Sequence, residues 1–222
     1  MPFDPVSAAG LMTREVRTGF RDGVATRILI ARRAYQAGQA DLWDALTSAD
    51  RIPRWFLPVS GDLKAGGHYQ LQGNAGGVVE HCLVPDSFSL TWEFGGALSW
   101  VAVTLSAERT ESTTLELAHE VVADPEMWGQ FGPGAVGVGW DLALMALGLH
   151  LDSGAPVDPE LAVTLPGSPD GAEFIRAAAD GWADAAIADG DEPDSARQAA
   201  NRTAAFYAPG EAASDGEPTP GG

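Results

Sequence analysis

Cysteine occurs once, at Cys82, and lysine once, at Lys64. A single thiol excludes an internal disulfide framework and a four-thiolate zinc site, and it makes the reducing cytoplasm the expected address. Cations are scarce: 13 Lys and Arg stand against 31 Asp and Glu, for a formal net charge of −18. Such a field repels nucleic acid and anionic membranes, so neither is an expected partner. The opening MPFDPVSAAGLMTREVR has no basic segment followed by an apolar one, so no secretory signal or mitochondrial presequence is expected. Long apolar runs are missing too. The most apolar window, 135–151, falls short of a bilayer span and carries Asp141 and His150, which reads as a core helix rather than an anchor. No H-x-x-x-H or C-x-x-C spacing exists, and the neighbours His81 and Cys82 point to opposite faces of a strand, so no metal or other cofactor is expected. There is also no G-x-S-x-G elbow for a serine nucleophile.

What remains is ample for a core: 222 residues, 45% of them hydrophobic. The first dozen residues, rich in Pro, Ala and Gly, are expected to be loose. Asp22-Gly23 supplies the positive φ angles of a tight hairpin turn, between strands expected near 14–20 and 25–35. In QADLWDALTSADRIPRWF, Leu42, Trp43 and Leu46 recur at helical spacing. Ser48 then offers an N-cap for a second short helix around Pro53. Five short strands follow at 68–72, 76–84, 87–94, 99–108 and 113–122, separated by turn signals, which is the pattern of an antiparallel meander. Leu115, Leu117, His119 and Val121 share one face of the last strand, and Phe88, Leu90, Trp92 and Phe94 share one face of an earlier one. A long apolar helix at 136–151 closes the unit. Residues 150–222 hold 14 acidic and 3 basic residues. Helix-prone segments at 169–188 and 194–207 carry aromatics that need somewhere to pack, Phe174, Trp182, Phe206 and Tyr207, so two helices docked on the domain are expected, then a disordered tail from about 208.

The glycines of FGPGAVGVGWDLALMALGLHL raise the question of a phosphate loop. A dinucleotide fingerprint needs G-x-G-x-x-G in a βαβ unit, yet Leu142 stands where the third glycine belongs and the preceding strands are antiparallel. A Walker loop needs Gly-Lys-Ser/Thr, and no lysine is near. The glycines are therefore read as permitting close backbone approach.

In order, the elements make an α+β helix-grip layout: a curved antiparallel sheet around a long C-terminal helix, two short helices after the first strands, and a helical C-terminal extension. Residues 13–152 form the expected domain and 153–207 the acidic extension, after a flexible 1–12. The blocks DLWDALTSADRIPRWF, LPVSGDLKAGGHYQLQGNAGGVVEHC, LTWEFGG and GWDLALMALGLHL resemble the SRPBCC (START/birch-pollen-allergen) superfamily. Within it they resemble the branch related to the C-terminal domain of the activator of heat shock protein 90 ATPase. The motifs are W-D-A-L-T at Trp43–Thr47, I-P-R-W-F at Ile52–Phe56, and Gly139, Trp140, Leu144, Leu147, His150 and Leu151 in the closing helix. The resemblance spans roughly 26–151, and the added N-terminal hairpin and acidic extension look like those of a bacterial subgroup.

The resemblance implies a cavity between sheet and long helix that takes apolar molecules in various relatives. Its expected lining is Trp55, Phe56, Tyr69, Glu80, Trp92, Phe94, His119, Trp140 and Leu144; the plain alternative for each aromatic is a core role. Glu80 sits in VVEHCLV, apolar on both parities. If it faces inward its charge must be neutralised, paired or used on a ligand. His119, on an apolar strand face, is either a satisfied core histidine or, with Glu80, an acid/base pair of the kind superfamily cyclases use. Three functions stay open: an apolar small-molecule binder, a cyclase- or hydrolase-type enzyme, and a co-chaperone-like module meeting a protein partner or second copy through its extension.

Overall fold

A computed structural model describes residues 4–208. The tail expected beyond 208 lies outside them. Within the opening segment, residues 5–10 are helical. Asp4 accepts a hydrogen bond from the Ser7 amide and Pro5 sits at the first helical position, so Pro5–Gly10 forms a helix, α1, with Pro5 and Ala9 buried. Strand β1 (Met12–Arg21) follows at once and turns into β2 (Val24–Tyr35) through Asp22 and Gly23, at φ 50° and 80°.

Helix α2 (Gln39–Thr47) comes next, and the expected second helix is a single 3-10 turn, Ile52–Arg54. Ser48 does not cap it: its own amide donates to Asp44 O and so closes α2. The meander runs through β3 (Val59–Gly61), β4 (His68–Leu71), β5 (Gly76–Leu83), β6 (Ser87–Phe94), β7 (Ala97–Arg109) and β8 (Ser112–Val122). All eight strands join one antiparallel sheet in the order β1-β2-β8-β7-β6-β5-β4-β3. The last strand of the meander thus returns to pair with β2, which unites hairpin and meander.

Helix α3 (Pro125–Phe131) leads into α4 (Gly134–Ser153). At 20 residues α4 is long and apolar enough to cross a bilayer, which corrects the length argument, but over half of its apolar window is buried within the fold. Leu29, Val103, Leu115 and Leu117 of the sheet and Val138, Leu144 and Leu147 of α4 belong to one hydrophobic cluster, each side chain contributing roughly 1.5–3 kcal/mol by leaving water. Tyr35 Oη and Arg33 Nη1 both donate to the Leu144 carbonyl, at 2.9 and 2.8 Å. A Cβ on Gly148 would overlap the Arg33 guanidinium, so glycine there lets the helix settle onto the sheet.

The extension comprises α5 (Pro159–Thr164), a 3-10 turn (Leu165–Gly167), α6 (Pro169–Ala188) and α7 (Pro193–Tyr207). It is no appendage. Phe174, Ile175 and Trp182 of α6 are fully buried and sit in the same cluster as Leu117 and Leu144. Trp182 packs over Gly137, while Thr203 and Tyr207 of α7 cover Gly134 and Gly139. Tyr207 Oη donates to Ala135 O at 2.9 Å. The glycine-rich start of α4 is therefore roofed by the C-terminal helices and holds no open phosphate cradle.

One charge is buried at this junction. Asp141, fully enclosed, accepts from Arg14 Nε at 2.9 Å and Trp182 Nε1 at 3.0 Å through one oxygen, while the other has no partner among the described residues. Burial pushes its pKa up to about 6, although Arg14 and the indole pull the other way.

Candidate functional site

Trp43, Leu46 and Thr47 of α2, the 3-10 turn with Trp55 and Phe56, the inner faces of β4–β8 and Ala143 and Leu144 of α4 enclose a hollow of about 520 Å³. That falls within the roughly 300–1,000 Å³ of small-molecule sites. Of the residues expected in a cavity, Trp55, Phe56, Tyr69, Trp92, Trp140 and Leu144 line this one. Strand parity adds Phe88 and Leu90 from β6, Val101 and Val103 from β7, and Leu115 and Leu117 from β8.

Two expected residues lie elsewhere. Glu80 is exposed, because the β5–β6 register shifts between Val79 and His81 and the irregularity resets which side chains face inward. Phe94 is 56% exposed at the last position of β6, where the strand runs into the Gly95-Gly96 turn beyond the covered part of the sheet. Alternation alone predicts neither.

His119 is buried just behind the lining. Its Nδ1 accepts from Trp140 Nε1 at 2.9 Å, so its proton sits on Nε2, which donates to Ser99 Oγ at 2.9 Å. Ser99 Oγ in turn donates to the Trp92 carbonyl at 3.0 Å. The imidazole also lies edge-on to both indoles, with ring centroids 6.0 Å from Trp92 and 5.9 Å from Trp140. Burial depresses its pKa to about 4, and a second proton would have to face the Trp140 N–H. Both nitrogens are engaged within the protein, and the ring braces the two tryptophans.

Two further aromatic rims are tied off in the same way. Trp55 Nε1 donates to Ala45 O at 2.9 Å, and Tyr69 Oη donates to Thr91 O at 2.8 Å. Burial, with Glu93 nearby, raises the Tyr69 pKa well above the usual phenol range. These polar atoms bond within the protein, leaving ring faces and aliphatic chains toward the hollow. The remaining polar groups of the lining are the Trp43 and Trp92 indoles, Thr47, Lys64 and Cys82. Thr47 Oγ1 donates to Trp43 O, and Lys64, 75% exposed, pairs with Asp62 at 2.8 Å. Cys82 and Val84 are exposed, which places the mouth at the β5–β6 turn and the Lys64 loop. Among the described residues no group of three or more His, Cys, Asp or Glu is arranged to hold a metal ion.

His150, part of the closing-helix motif, is buried at the other end of α4. Its Nε2 accepts from Arg51 Nε at 3.2 Å while Nδ1 donates to Ala155 O at 2.7 Å. Arg51 also pairs with Asp41 and Asp44 of α2, so one guanidinium joins α2, the 3-10 turn and α4 around the hollow.

The crystal structure of CalU16 from Micromonospora echinospora is similar at 29% identity and TM-score 0.62, covering 81% of this chain and 99% of that one. Its solution structure is similar at 31% identity and TM-score 0.65, covering 81% and 97%. DynU16, from the dynemicin biosynthetic locus, shares the fold at 21% identity and TM-score 0.53, over 58% of this chain and 48% of its own. No curated protein matches. The family model described as Activator of Hsp90 ATPase homolog 1-like protein matches residues 36–152, from the approach to α2 through nearly all of α4. The chain belongs to the Activator of Hsp90 ATPase homolog 1-like family.

Proposed function

We propose that the protein is a cytoplasmic, non-catalytic binder of an apolar small molecule, held in the hollow between α2, the sheet and α4. The observation that carries this reading is the disposition of polar atoms. Trp55, Tyr69 and Trp140 each commit their hydrogen-bonding group to the protein, so at these positions the wall offers a ligand ring faces and hydrocarbon. An apolar guest displaces water from such a wall and strands none of these three groups.

A cyclase- or hydrolase-type reaction has less support. Glu80 is outside, and the imidazole of His119 has no free nitrogen. A partner-docking module needs an unpaired apolar face, whereas α6 turns Phe174, Ile175 and Trp182 into the core.

The test is native mass spectrometry of the protein purified from its source, before and after denaturation, joined to tryptophan fluorescence titration with apolar compounds. A small molecule released on unfolding, and binding lost in Val103→Trp but retained in Glu80→Gln, is the expected result. A bare protein mass with no fluorescence response, or turnover of any captured compound that Glu80→Gln abolishes, overturns the reading.

A further inference from the structure

A second hollow of about 270 Å³ lies on the opposite side of the Trp55–Phe56 turn, between α4 and the segment 157–166. Its walls are Leu142, Met145 and Ala146 of α4 and Val157, Leu161 and Leu165 of the covering segment. That cover belongs to the chain beyond residue 152, where the family match ends. Only Trp55, Phe56 and Ala143 are common to the linings of both hollows, so these residues form the partition.

The partition is unequal in its fastenings. Trp55 is pinned through its indole N–H to Ala45 O. Phe56 is half-buried and held by packing alone: its ring stacks with Trp55 at 5.4 Å and Trp140 at 6.3 Å between centroids, and it packs against the cluster of Tyr69, Leu71 and Val79. Ala143 contributes only a methyl group. A rotation of the Phe56 ring therefore breaks no hydrogen bond. The roof is a six-residue helix, capped by Asp158 and tied to the 3-10 turn by one backbone hydrogen bond, Val157 N to Arg54 O at 2.7 Å.

We infer that the two hollows are halves of one elongated site, with Phe56 as the movable partition, and that the site takes an extended apolar chain whose far end lies under α5. This rests on the small-molecule reading above and adds a ligand class to it. A compact guest fills the main hollow alone. A longer one swings Phe56 aside and gains burial under Leu161 and Leu165.

The experiment compares octanoate, dodecanoate and palmitate, which share a head group, by fluorescence titration of the full chain and of Leu161→Trp, whose larger side chain fills the second hollow. Each further buried methylene is worth about a fourfold gain in affinity. Wild-type affinity should keep rising from dodecanoate to palmitate. Leu161→Trp should weaken palmitate by about tenfold, the burial of two or so methylenes, and change octanoate less than about twofold. In wild-type protein, independent of any variant, the terminal methyl of bound palmitate should give NMR contacts to the Leu161 and Leu165 methyls. Palmitate no tighter than dodecanoate, equal losses for octanoate and palmitate in the variant, or no contacts to those methyls would overturn the two-chamber site while leaving the main hollow standing. Failure of octanoate itself to bind would remove both.

Discussion

The indole of Trp182 occupies the volume that a side chain on Gly137 would need: a Cβ built there overlaps the ring. Glycine at 137 is thus the complement of a tryptophan 45 positions later in the chain. Alanine at 137 improves helix propensity by about 1 kcal/mol, but the overlap with a fully buried ring outweighs it. Gly137→Ala should lower stability by about 1–3 kcal/mol. At Gly139 the added Cβ meets only Tyr207 Oη, at 3.2 Å, a side-chain tip that can shift. Gly139→Ala should therefore stay within about 1 kcal/mol of wild type. Urea midpoints of the two variants, measured together, check the contrast; equal effects would remove the special role of Trp182.

Asp141 and His119 set opposing pH dependences. The folded pKa of Asp141 is raised from 3.8 to about 6, so across that window the folded state holds more protons and its stability falls as pH rises. The folded pKa of His119 is lowered from 6.5 to about 4, so there the unfolded state holds more protons and stability rises with pH. Each contribution is about 3 kcal/mol, from the size of the shift. The two windows overlap and the terms nearly cancel in the wild type. His119→Gln should expose the Asp141 term and lose stability, relative to wild type, as pH rises from about 4 to 6; Asp141→Asn should do the reverse. Denaturation of all three proteins across this range checks the signs, and parallel profiles would refute the assignment.

Removing everything after Ser153 strips the cover from Val138 and Leu144 along with Phe174, Ile175 and Trp182. The shortened chain should show no cooperative thermal transition and should bind a hydrophobic dye. Trp182→Ala alone should cost about 3–5 kcal/mol. A sharp transition in the shortened chain would mean that residues 13–152 fold by themselves.

Turns and alternation made most of the fold readable. Asp22-Gly23 placed the first hairpin, and period-two faces located Leu115, Leu117 and His119 on the inner side of β8. Helix α6 spans 169–188 as its alanine-rich pattern suggests. The three-residue β3 is too short to show a period. Helices α3 and α5 were missed, although Asp124-Pro125-Glu126 and Asp158-Pro159-Glu160 each supply an N-cap, a first-turn proline and an acidic residue at the dipole's positive end. In the site, aromatics beside a turn or on a regular strand were legible. Glu80 was not, since a shift of pairing partner leaves no mark in a strand apolar on both parities. The docking of α6 was legible from Phe174 and Trp182, aromatics that need somewhere to pack, and both are fully buried.

The return of β8 to the side of β2 also governs when the protein can fold. Tyr35 pairs with Thr113 and Thr26 with Val122, so the opening hairpin finds its neighbour only after the whole meander has been synthesised. The buried face of α4 then waits for Trp182, later still in the chain. Loop closure over such separations is slow, and on the ribosome the early strands, with Phe20 and Val24 near their tip, stand without the strand that completes them until β8 has emerged. Within the sheet, the seam that unites hairpin and meander is the last one the growing chain can close.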